Sequence, residues 1–379
     1  MQSLKSVEII DSGKAILLNL KDGGKIRYHS SWLRDNSLDP ETRNPNNGQK
    51  VISLNNLPKN ISIDSVYFDK KRKQIAVKFL PEKKEIFFSL NWLESYAYDN
   101  KKNKDNGCID SDLKIWNQNT IKKIPTFNYS SITKNKNLFL KCLKSVYVYG
   151  FAKIKGGKIK RGALIELANL FGYIRETNYG KLFDVKSKIN AINLAYTNLG
   201  LNLHTDNPYR DPVPTIQILY CLENSVSGGE SIVADGFYAA KILKEKHSKY
   251  FDLLTKYNVS FEFKGDKNIF LKSNRPIIEL SPMGKIIAIR FNERSIAPVT
   301  EVPFELMDDF YAAYRTFSDI IYDPKLSIKF KLNPGESFVI DNTRVLHARS
   351  SFKGKGNRWL QGCYVDKDAI LSKISILSD

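Results

Sequence analysis

Residues 201–222, LNLHTDNPYRDPVPTIQILYCL, join a His-Thr-Asp triplet to a largely apolar run. The second half, TIQILYCL, has the length and the β-branched content of a buried strand. His204 and Asp206 stand two residues apart, a spacing that brings both side chains to one face of an extended chain. An imidazole and a carboxylate on one face can share a metal ion. The stretch therefore predicts a β-rich fold that carries a candidate metal site.

A third metal ligand is available far along the chain, in VIDNTRVLHARSSF, where His347 follows the strand-like ESFVIDN. Two imidazoles and one carboxylate leave adjacent coordination positions open, as in non-haem Fe(II) oxygenases that bind a co-substrate and O₂ together. A His-x-Asp pair alone is weak evidence, because most such pairs are surface polar residues or satisfied core histidines. His29, in a strand-like segment, and His247, in a Lys/Glu-rich helix, illustrate that alternative.

Two arginines accompany His347, and either can hold a dicarboxylate co-substrate. A guanidinium binds a carboxylate with two parallel hydrogen bonds. Arg358 precedes the apolar strand pattern WLQGCYVD and is expected to point inward, which makes it the better candidate. Arg349 is the second candidate. The alternative for either residue is an ordinary surface ion pair.

Short strand patterns fill residues 1–96, among them KIRYHSSWL and EIFFSLNWL, and predict a small amino-terminal antiparallel β domain. The polar residues 97–114 are expected to form a linker. Residues 115–379 mix strand patterns with helical ones, such as KNLFLKCLKSVYVY, GFYAAKILKEKHSKYFDLLTKY and PFELMDDFYAAYRTFSDII. They predict a second domain with a β core and flanking helices.

Composition narrows the functional classes. The net charge of +19 comes from lysines spread along the whole chain, without a recognisable nucleic-acid-binding motif, so we expect no nucleic-acid partner. The glycine-rich segments form no phosphate-binding loop. Four scattered cysteines make a disulfide scaffold improbable and fit a reducing compartment. With neither a signal-peptide core nor a long apolar run, the chain is expected to be cytoplasmic and without a membrane partner.

Several longer stretches resemble one enzyme family, the Fe(II)/2-oxoglutarate-dependent dioxygenases of the taurine dioxygenase superfamily, in the γ-butyrobetaine and trimethyllysine dioxygenase branch. They are WLRDN (32–36), RETNYGKLFDVK (175–186), residues 193–237 around the His-Thr-Asp triplet, residues 330–352 around His347, and NRWLQGCYVDKD (357–368). The resemblance implies a double-stranded β-helix (jelly-roll) catalytic domain of residues 115–379 behind the amino-terminal β domain. It also implies an enzyme that uses Fe(II), 2-oxoglutarate and O₂ on a small molecule, with a homodimer as one expected assembly.

The same resemblance implies roles for individual residues. His204, Asp206 and His347 fall on the iron ligands, and Arg358 falls on the arginine that holds the distal carboxylate of 2-oxoglutarate, with Ser231 and Arg349 nearby. The family binds a trimethylammonium group between aromatic rings, which suits a cation that cannot donate hydrogen bonds. The residues that fall on this cage, and on the polar positions that contact the substrate, are Tyr179, Phe183, Tyr196, Tyr364, Asn193, Asn292 and Arg294. Core packing is the alternative for each aromatic ring.

Two departures from the family affect these expectations. Ser37, Asp39 and Thr42 stand where zinc-binding relatives carry cysteines, so no structural zinc is expected. Phe183 stands where γ-butyrobetaine enzymes have tryptophan. The expected reaction is hydroxylation of a γ-butyrobetaine-like zwitterion to a carnitine-like product, as in carnitine biosynthesis, with release of succinate and CO₂. The alternative is hydroxylation of an aminoalkylphosphonate, such as 2-(trimethylamino)ethylphosphonate, at the carbon next to phosphorus.

Overall fold

The amino-terminal part of the chain forms two three-stranded antiparallel sheets, ordered β1-β2-β3 and β4-β5-β6. In β3 the apolar side chains alternate with polar ones, and Ile26 and Tyr28 point into the core that both sheets share. The predicted small β domain is therefore confirmed. Its elements are β1 (Leu4–Ile10), β2 (Ala15–Leu20), β3 (Lys25–His29), α1 (Ser30–Asp35), β4 (Ser62–Asp69), β5 (Gln74–Leu80), β6 (Lys84–Ser89) and α2 (Leu90–Ser95).

Two of the predicted strands are too long, because each ends in a short helix. SSWLRD forms α1 and LNWLES forms α2. Ser89 explains the second change, because its hydroxyl accepts a hydrogen bond from the backbone N–H of Trp92 and so caps α2. The apolar residues alone predict a strand that continues past Ser89, whereas the serine ends β6 and begins the helix.

Ser37, Asp39 and Thr42 belong to a polar network around a buried arginine. The Arg34 guanidinium is paired with Glu82 through two hydrogen bonds of 2.7 and 2.8 Å, and it also donates to the Thr42 hydroxyl at 2.8 Å. Ser37 donates to Asp39, which is paired in turn with Lys84. All three side chains therefore take part in the polar network around Arg34, Glu82 and Lys84.

This computed structural model describes residues 4–99, 107–121, 123–186, 200–265, 268–353 and 356–378. It separates the chain into two compact units, Met1–Asp105 and Asn106–Asp379. The assignment of residues 97–114 as a linker stays a prediction. Within the described residues, no helix has both the length and the apolar character needed to cross a bilayer.

The carboxy-terminal unit is a jelly roll of two facing sheets, as the fold prediction required. One sheet has the order β7-β8-β19-β11-β22-β9, and the other has the order β10-β20-β13-β18. All neighbours in both sheets are antiparallel except β7 and β8. The strands of the unit are β7 (Thr126–Asn128), β8 (Phe151–Lys155), β9 (Phe183–Val185), β10 (Leu201–His204), β11 (Ile216–Asn224), β12 (Ser227–Gly228), β13 (Ser231–Asp235), β14 (Asn258–Lys264), β15 (Phe270–Pro276), β16 (Ile278–Leu280), β17 (Ile286–Ile289), β18 (Ser327–Phe330), β19 (Ser337–Asp341), β20 (Val345–Arg349), β21 (Phe352–Lys353) and β22 (Arg358–Val365).

Helices cover the outer faces of both sheets. The predicted helix across residues 236–257 is two helices, because the chain breaks at His247 with φ −143°. The helices of this unit are α3 (Tyr129–Lys134), α4 (Lys136–Tyr149), α5 (Ala163–Phe171), α6 (Gly236–Lys246), α7 (Ser248–Lys256), α8 (Met307–Tyr322) and α9 (Lys367–Ser378).

Strand β11 shows how the jelly roll positions the site. Its alternate residues Ile216, Ile218 and Tyr220 pack towards the helices, whereas Leu219 and Cys221 pack between the sheets. Gln217 shares the inner face with Leu219, and both line a cavity between the sheets. The inner face of the jelly roll is therefore apolar except where a polar side chain reaches the cavity.

Candidate active site

His204 and His347 are brought together by the pairing of β10 with β20. The two residues are direct partners in the antiparallel register, and their ring centroids lie 4.3 Å apart. Both side chains are buried, with relative exposures of 4% and 7%. Two distant segments of the chain thus present their imidazoles to one point in the cavity.

Asp206 completes a group of three potential metal ligands. Its Oδ1 lies 3.2 Å from Nε2 of His204 and 3.8 Å from Nε2 of His347. The ligand atoms of the three residues all lie within 4.8 Å of one another. Strand β10 ends at His204, so the alternation of an extended strand does not position Asp206. Instead the amide of Asn342 holds its backbone, by accepting from its N–H at 2.7 Å and donating to its carbonyl at 2.9 Å.

Two neighbours fix the orientation of the Asp206 carboxylate. Its Oδ2 accepts hydrogen bonds from Nε2 of Gln217 at 2.5 Å and from the hydroxyl of Tyr364 at 2.8 Å. Burial and the adjacent carboxylate raise the pKa of Tyr364, so its hydroxyl keeps the proton that it donates. Because Oδ2 is occupied in this way, Oδ1 is left to face the two histidines. No sequence pattern singles out Gln217 or Asn342.

The protonation states of the group suit a divalent transition metal. Burial alone would raise the pKa of Asp206, but His347, His204 and Tyr364 together hold it below its usual range, so the carboxylate is ionised. Burial and the proximity of His204 lower the pKa of His347 to about 3, which keeps its imidazole neutral. His204 has Nδ1 2.7 Å from the Asn202 carbonyl, which can only accept, so Nδ1 carries a proton and Nε2 is the nitrogen that faces Asp206 and His347. A carboxylate and two imidazoles are a donor set for iron.

Arg358 and Arg349 lie on neighbouring walls of the same cavity. Arg358 opens β22 and Arg349 ends β20, and their relative exposures are 8% and 5%. Both guanidinium groups approach the ring of Phe352, at 5.8 and 5.1 Å from its centroid. Burial lowers the pKa of each to about 10, so both remain protonated at neutral pH. Ser231 pairs with Arg349 in the β13–β20 register and is buried in the same wall.

Gly229 gives Arg358 the space it needs. Its backbone has φ +69°, and a Cβ at this position would lie 3.1 Å from both Cδ and Nε of Arg358. The Gly229 carbonyl accepts a hydrogen bond of 3.4 Å from Nε. Among the described residues the two terminal nitrogens of the Arg358 guanidinium have no partner, so both remain available for a bidentate ligand.

Three of the predicted cage residues form one aromatic wall. Phe183 lies 5.3 Å from Tyr364 and 6.3 Å from Tyr179, measured between ring centroids. Phe183 is placed in this wall by the pairing of β9 with β22, in which its register partner is Gly362. Two further predicted substrate contacts, Asn193 and Tyr196, lie outside the described residues.

Two further rings extend this wall. Tyr209 stacks on Phe263 with their centroids 4.9 Å apart, and Phe263 lies 6.0 Å from Tyr179. Tyr209 stands three residues after Asp206, so its proximity in sequence could have drawn attention to it. Phe263 belongs to the β14–β15 hairpin, and no feature of the sequence ties it to the site.

Asn292 and Arg294 also line the cavity, in different ways. The Asn292 amide donates to the Thr205 carbonyl at 3.1 Å, and its oxygen accepts from the backbone N–H of Arg294 at 3.2 Å. Arg294 is exposed, and its guanidinium is unpaired among the described residues. Asn292 therefore holds the wall together, whereas Arg294 offers a charge at its edge.

The cavity has a volume of about 440 Å³, which suits a small organic molecule. Metal-ligand candidates, buried arginines and aromatic rings all open into it. Its lining comprises Tyr179, Phe183, Val185, Leu201, His204, Asp206, Asn207, Tyr209, Gln217, Leu219, Ser231, Glu262, Phe263, Lys264, Asn292, Arg294, Ser295, Phe338, His347, Ala348, Arg349, Arg358, Leu360 and Tyr364.

Two family models match the chain. The model described as taurine catabolism dioxygenase TauD, TfdA family, matches residues 118–364, and the model of the γ-butyrobetaine hydroxylase-like amino-terminal region matches residues 7–94. The chain is 32% identical over 361 residues to a γ-butyrobetaine dioxygenase of Pseudomonas sp. (strain AK-1), with 94% of this chain and 92% of the relative covered.

Other relatives are similar over almost their whole length. The chain is 28% identical to the γ-butyrobetaine dioxygenase of Homo sapiens, with 99% and 97% covered, and 26% identical to a trimethyllysine dioxygenase of Meyerozyma guilliermondii, with 99% and 96% covered. Among solved structures, the non-haem iron oxygenase OrfP in complex with Fe and α-ketoglutaric acid covers 65% of this chain and 95% of its own, with a TM-score of 0.49 and 16% identity.

Proposed function

Since the chain belongs to the taurine catabolism dioxygenase TauD, TfdA family, we propose that it hydroxylates a small zwitterion with a quaternary ammonium group, such as γ-butyrobetaine. The enzyme is a dioxygenase that uses ferrous iron and 2-oxoglutarate. The observation that carries the proposal is the convergence of His204, Asp206 and His347 in a cavity that also holds a buried arginine and an aromatic wall.

His204, Asp206 and His347 would hold the metal. Their two imidazoles and one ionised carboxylate fit Fe(II). When bound, iron and 2-oxoglutarate supply the oxidative chemistry, in which O₂ and 2-oxoglutarate yield succinate and CO₂ while one substrate C–H bond becomes C–OH. Gln217 and Tyr364 keep the Asp206 carboxylate turned towards the histidines.

The distal carboxylate of 2-oxoglutarate is bound by Arg358. Arg358 lines the cavity, and its terminal nitrogens have no protein hydrogen-bond partner among the described residues. A planar guanidinium matches a carboxylate with two hydrogen bonds. Arg349 and Ser231 line the wall beside it and contribute positive charge and a hydroxyl. Because Arg358 is 8% exposed, this interaction is screened little by solvent.

The quaternary ammonium group is bound by the aromatic wall. Its methyl groups cannot donate conventional hydrogen bonds, and the faces of Tyr179, Phe183 and Tyr364 attract the positive charge. Asn193 and Tyr196 are assigned to the same substrate site by resemblance alone. The protein thus contributes binding and orientation, because it holds the two ends of the substrate so that one carbon faces the metal.

The proposal is tested with a panel of substrates. Purified enzyme is incubated with Fe(II), 2-oxoglutarate and either γ-butyrobetaine, trimethyllysine or 2-(trimethylamino)ethylphosphonate, and products are followed by mass spectrometry. We expect γ-butyrobetaine to yield a product heavier by one oxygen, with an equal amount of succinate. Preferential oxidation of the phosphonate would change the assigned substrate but not the enzyme class. The proposal would be refuted if none of the compounds gave a hydroxylated product coupled to succinate.

A cytoplasmic location, a homodimeric assembly and the lack of a nucleic-acid or membrane partner stay predictions of the sequence.

A further inference from the structure

Strand β9, which carries Phe183 into the aromatic wall, is only three residues long and lies at the edge of the six-stranded sheet. Its side chains alternate between the two faces of the sheet. Phe183 and Val185 pack between the sheets and line the cavity, whereas Asp184 is not among the described residues that line it. A strand with so short a ladder depends on its side-chain contacts to keep its place.

Asp184 joins β9 to β22 on the outer face of the sheet. Its Oδ1 accepts hydrogen bonds from the indole N–H of Trp359 at 2.7 Å and from Nε2 of Gln361 at 3.1 Å. The two donors stand two residues apart in β22, so they point to the same face. Oε1 of Gln361 accepts in turn from the backbone N–H of Gly162, at the start of α5, at 2.8 Å. Asp184 thus connects the edge strand to the next strand and, through Gln361, to a helix.

Two cations accompany this junction. Nζ of Lys186 lies 4.2 Å from the centroid of the Trp359 ring, which is a cation–π distance. Arg161 lies 3.9 Å from Oδ2 of Asp184, but its side chain is 75% exposed, so this ion pair contributes little. The hydrogen bonds to Oδ1 of Asp184 are therefore the main side-chain link between the two strands on this face.

The ring of Phe183 lies directly against the backbone of β22 on the inner face. A Cβ on Gly362 would lie 2.3 Å from two carbons of this ring, much closer than van der Waals contact allows. The ring of Tyr364 follows on the same face, with its centroid 5.3 Å from that of Phe183. Phe183 therefore fills a space that exists only while β9 keeps its register opposite Gly362. A slip of one residue would turn its ring to the outer face.

We propose that Asp184 is a positioning residue for recognition of the quaternary ammonium group, because it holds β9 where Phe183 stands in the aromatic wall. The inference deepens the proposed function and rests on it. A cation–π contact depends on the distance between the charge and the ring, so a loosened β9 binds the cation more weakly. The metal ligands lie elsewhere, on β10, on β20 and just after β10, and do not depend on this link.

The test measures binding of γ-butyrobetaine by calorimetry to enzyme loaded with Fe(II) and 2-oxoglutarate, without O₂, so that no turnover occurs. Asp184→Ala removes the acceptor, and we expect the affinity to fall roughly threefold to tenfold, as for a weakened cation–π contact. Asp184→Asn keeps an oxygen that accepts from both donors and should restore most of the affinity. Trp359→Phe keeps a packed ring, loses one donor and should show a smaller loss.

A double-mutant cycle separates positioning from a general loss of stability. Asp184→Ala should cause no further loss of affinity in the Phe183→Leu background, because no ring remains to be positioned. If Asp184→Ala does not fold, Trp359→Phe takes its place in the cycle. Tyr220→Phe removes a hydroxyl bonded to the Lys158 carbonyl on the same outer face and is the matched control, which should bind γ-butyrobetaine normally. Bound iron and the affinity for 2-oxoglutarate should be the same in all variants.

Unchanged γ-butyrobetaine binding in Asp184→Ala, or a full additional loss in the double variant, would overturn the inference. Equal losses in Asp184→Ala and Asp184→Asn would also overturn it, because the charge of Asp184 rather than its hydrogen bonds would then attract the cation. Failure of the proposed function looks different. In that case the unaltered enzyme itself neither binds γ-butyrobetaine nor hydroxylates it when O₂ is admitted, and the role of Asp184 falls with it.

Discussion

His204 and His347 face each other across a single antiparallel strand pair, with their ring centroids 4.3 Å apart, although they stand far apart in the sequence. The pairing of β10 with β20 therefore builds the metal site, and Asp206 joins it from just beyond the end of β10.

Arg358 should determine the affinity for 2-oxoglutarate. Arg358→Ala removes a bidentate contact to its distal carboxylate, so we expect KM for 2-oxoglutarate to rise roughly tenfold to a hundredfold. Arg358→Lys should recover only part of this loss, because one ammonium cannot reproduce the planar pair of donors. Steady-state succinate formation measures both variants. Arg161→Lys, at an exposed site, serves as the control. An unchanged KM for 2-oxoglutarate in Arg358→Ala would assign the co-substrate to another residue.

Gln217 should control metal affinity without touching the metal. Gln217→Leu removes the 2.5 Å hydrogen bond to Oδ2 of Asp206 and frees the carboxylate to rotate. Loss of such a supporting contact weakens metal binding by roughly tenfold to a hundredfold. Titration with Mn(II), followed by electron paramagnetic resonance, measures the change. Gln361→Leu removes an equally buried amide that contacts Asp184 instead, and it should bind Mn(II) normally. Equal affinities in the two variants would contradict this role.

Phe183 should contribute to recognition of the quaternary ammonium group. Phe183→Leu keeps an apolar side chain but removes the aromatic face, and a cation–π contact of this kind corresponds to a loss of roughly threefold to thirtyfold in affinity. KM for γ-butyrobetaine should rise by that factor, whereas KM for 2-oxoglutarate should stay constant. Phe330 packs on Phe338 behind the cavity, so Phe330→Leu controls for the loss of side-chain volume. If Phe183→Leu shifts only the KM for 2-oxoglutarate, the aromatic wall binds something other than the cation.

The buried pair of Arg344 and Asp235 should stabilise the jelly roll. The two side chains are 1% and 0% exposed, and two hydrogen bonds of 3.0 and 2.8 Å join them. Arg344→Met leaves the Asp235 carboxylate buried without its partner, so we expect the free energy of unfolding to fall by about 3–5 kcal/mol. Urea denaturation measures this loss. Lys158→Met breaks an exposed pair with Glu166 and should have little effect. Similar urea midpoints for the two variants would show that the buried pair stabilises the fold no more than the exposed pair does.

Local patterns in the sequence were sufficient for the β-rich fold and for most of its elements. Strands such as TIQILYCL are recognisable by their β-branched residues, and the helices carry apolar residues at helical spacing. One error arose where a capping residue overrides an apolar run, as Ser89 does at the start of α2. The break at His247 likewise leaves the apolar pattern unaltered on both sides.

The site was accessible to sequence reasoning only in part. His204 and Asp206 stand out by spacing, but the reason for their proximity is different, because Asn342 rather than an extended strand positions Asp206. Phe263 and Gln217 were not identifiable, because their roles arise from tertiary packing of a distant hairpin and of an inner strand face.

The central claim is that His204, Asp206 and His347 hold one ferrous ion that sustains turnover. We would measure the Fe(II) bound per chain, and the succinate and hydroxylated γ-butyrobetaine formed, for the unaltered enzyme and for His347→Ala. We predict one ion per chain and equal amounts of the two products in the unaltered enzyme, with loss of both tight Fe(II) binding and product in the variant. Full Fe(II) binding and undiminished turnover in His347→Ala would contradict the claim.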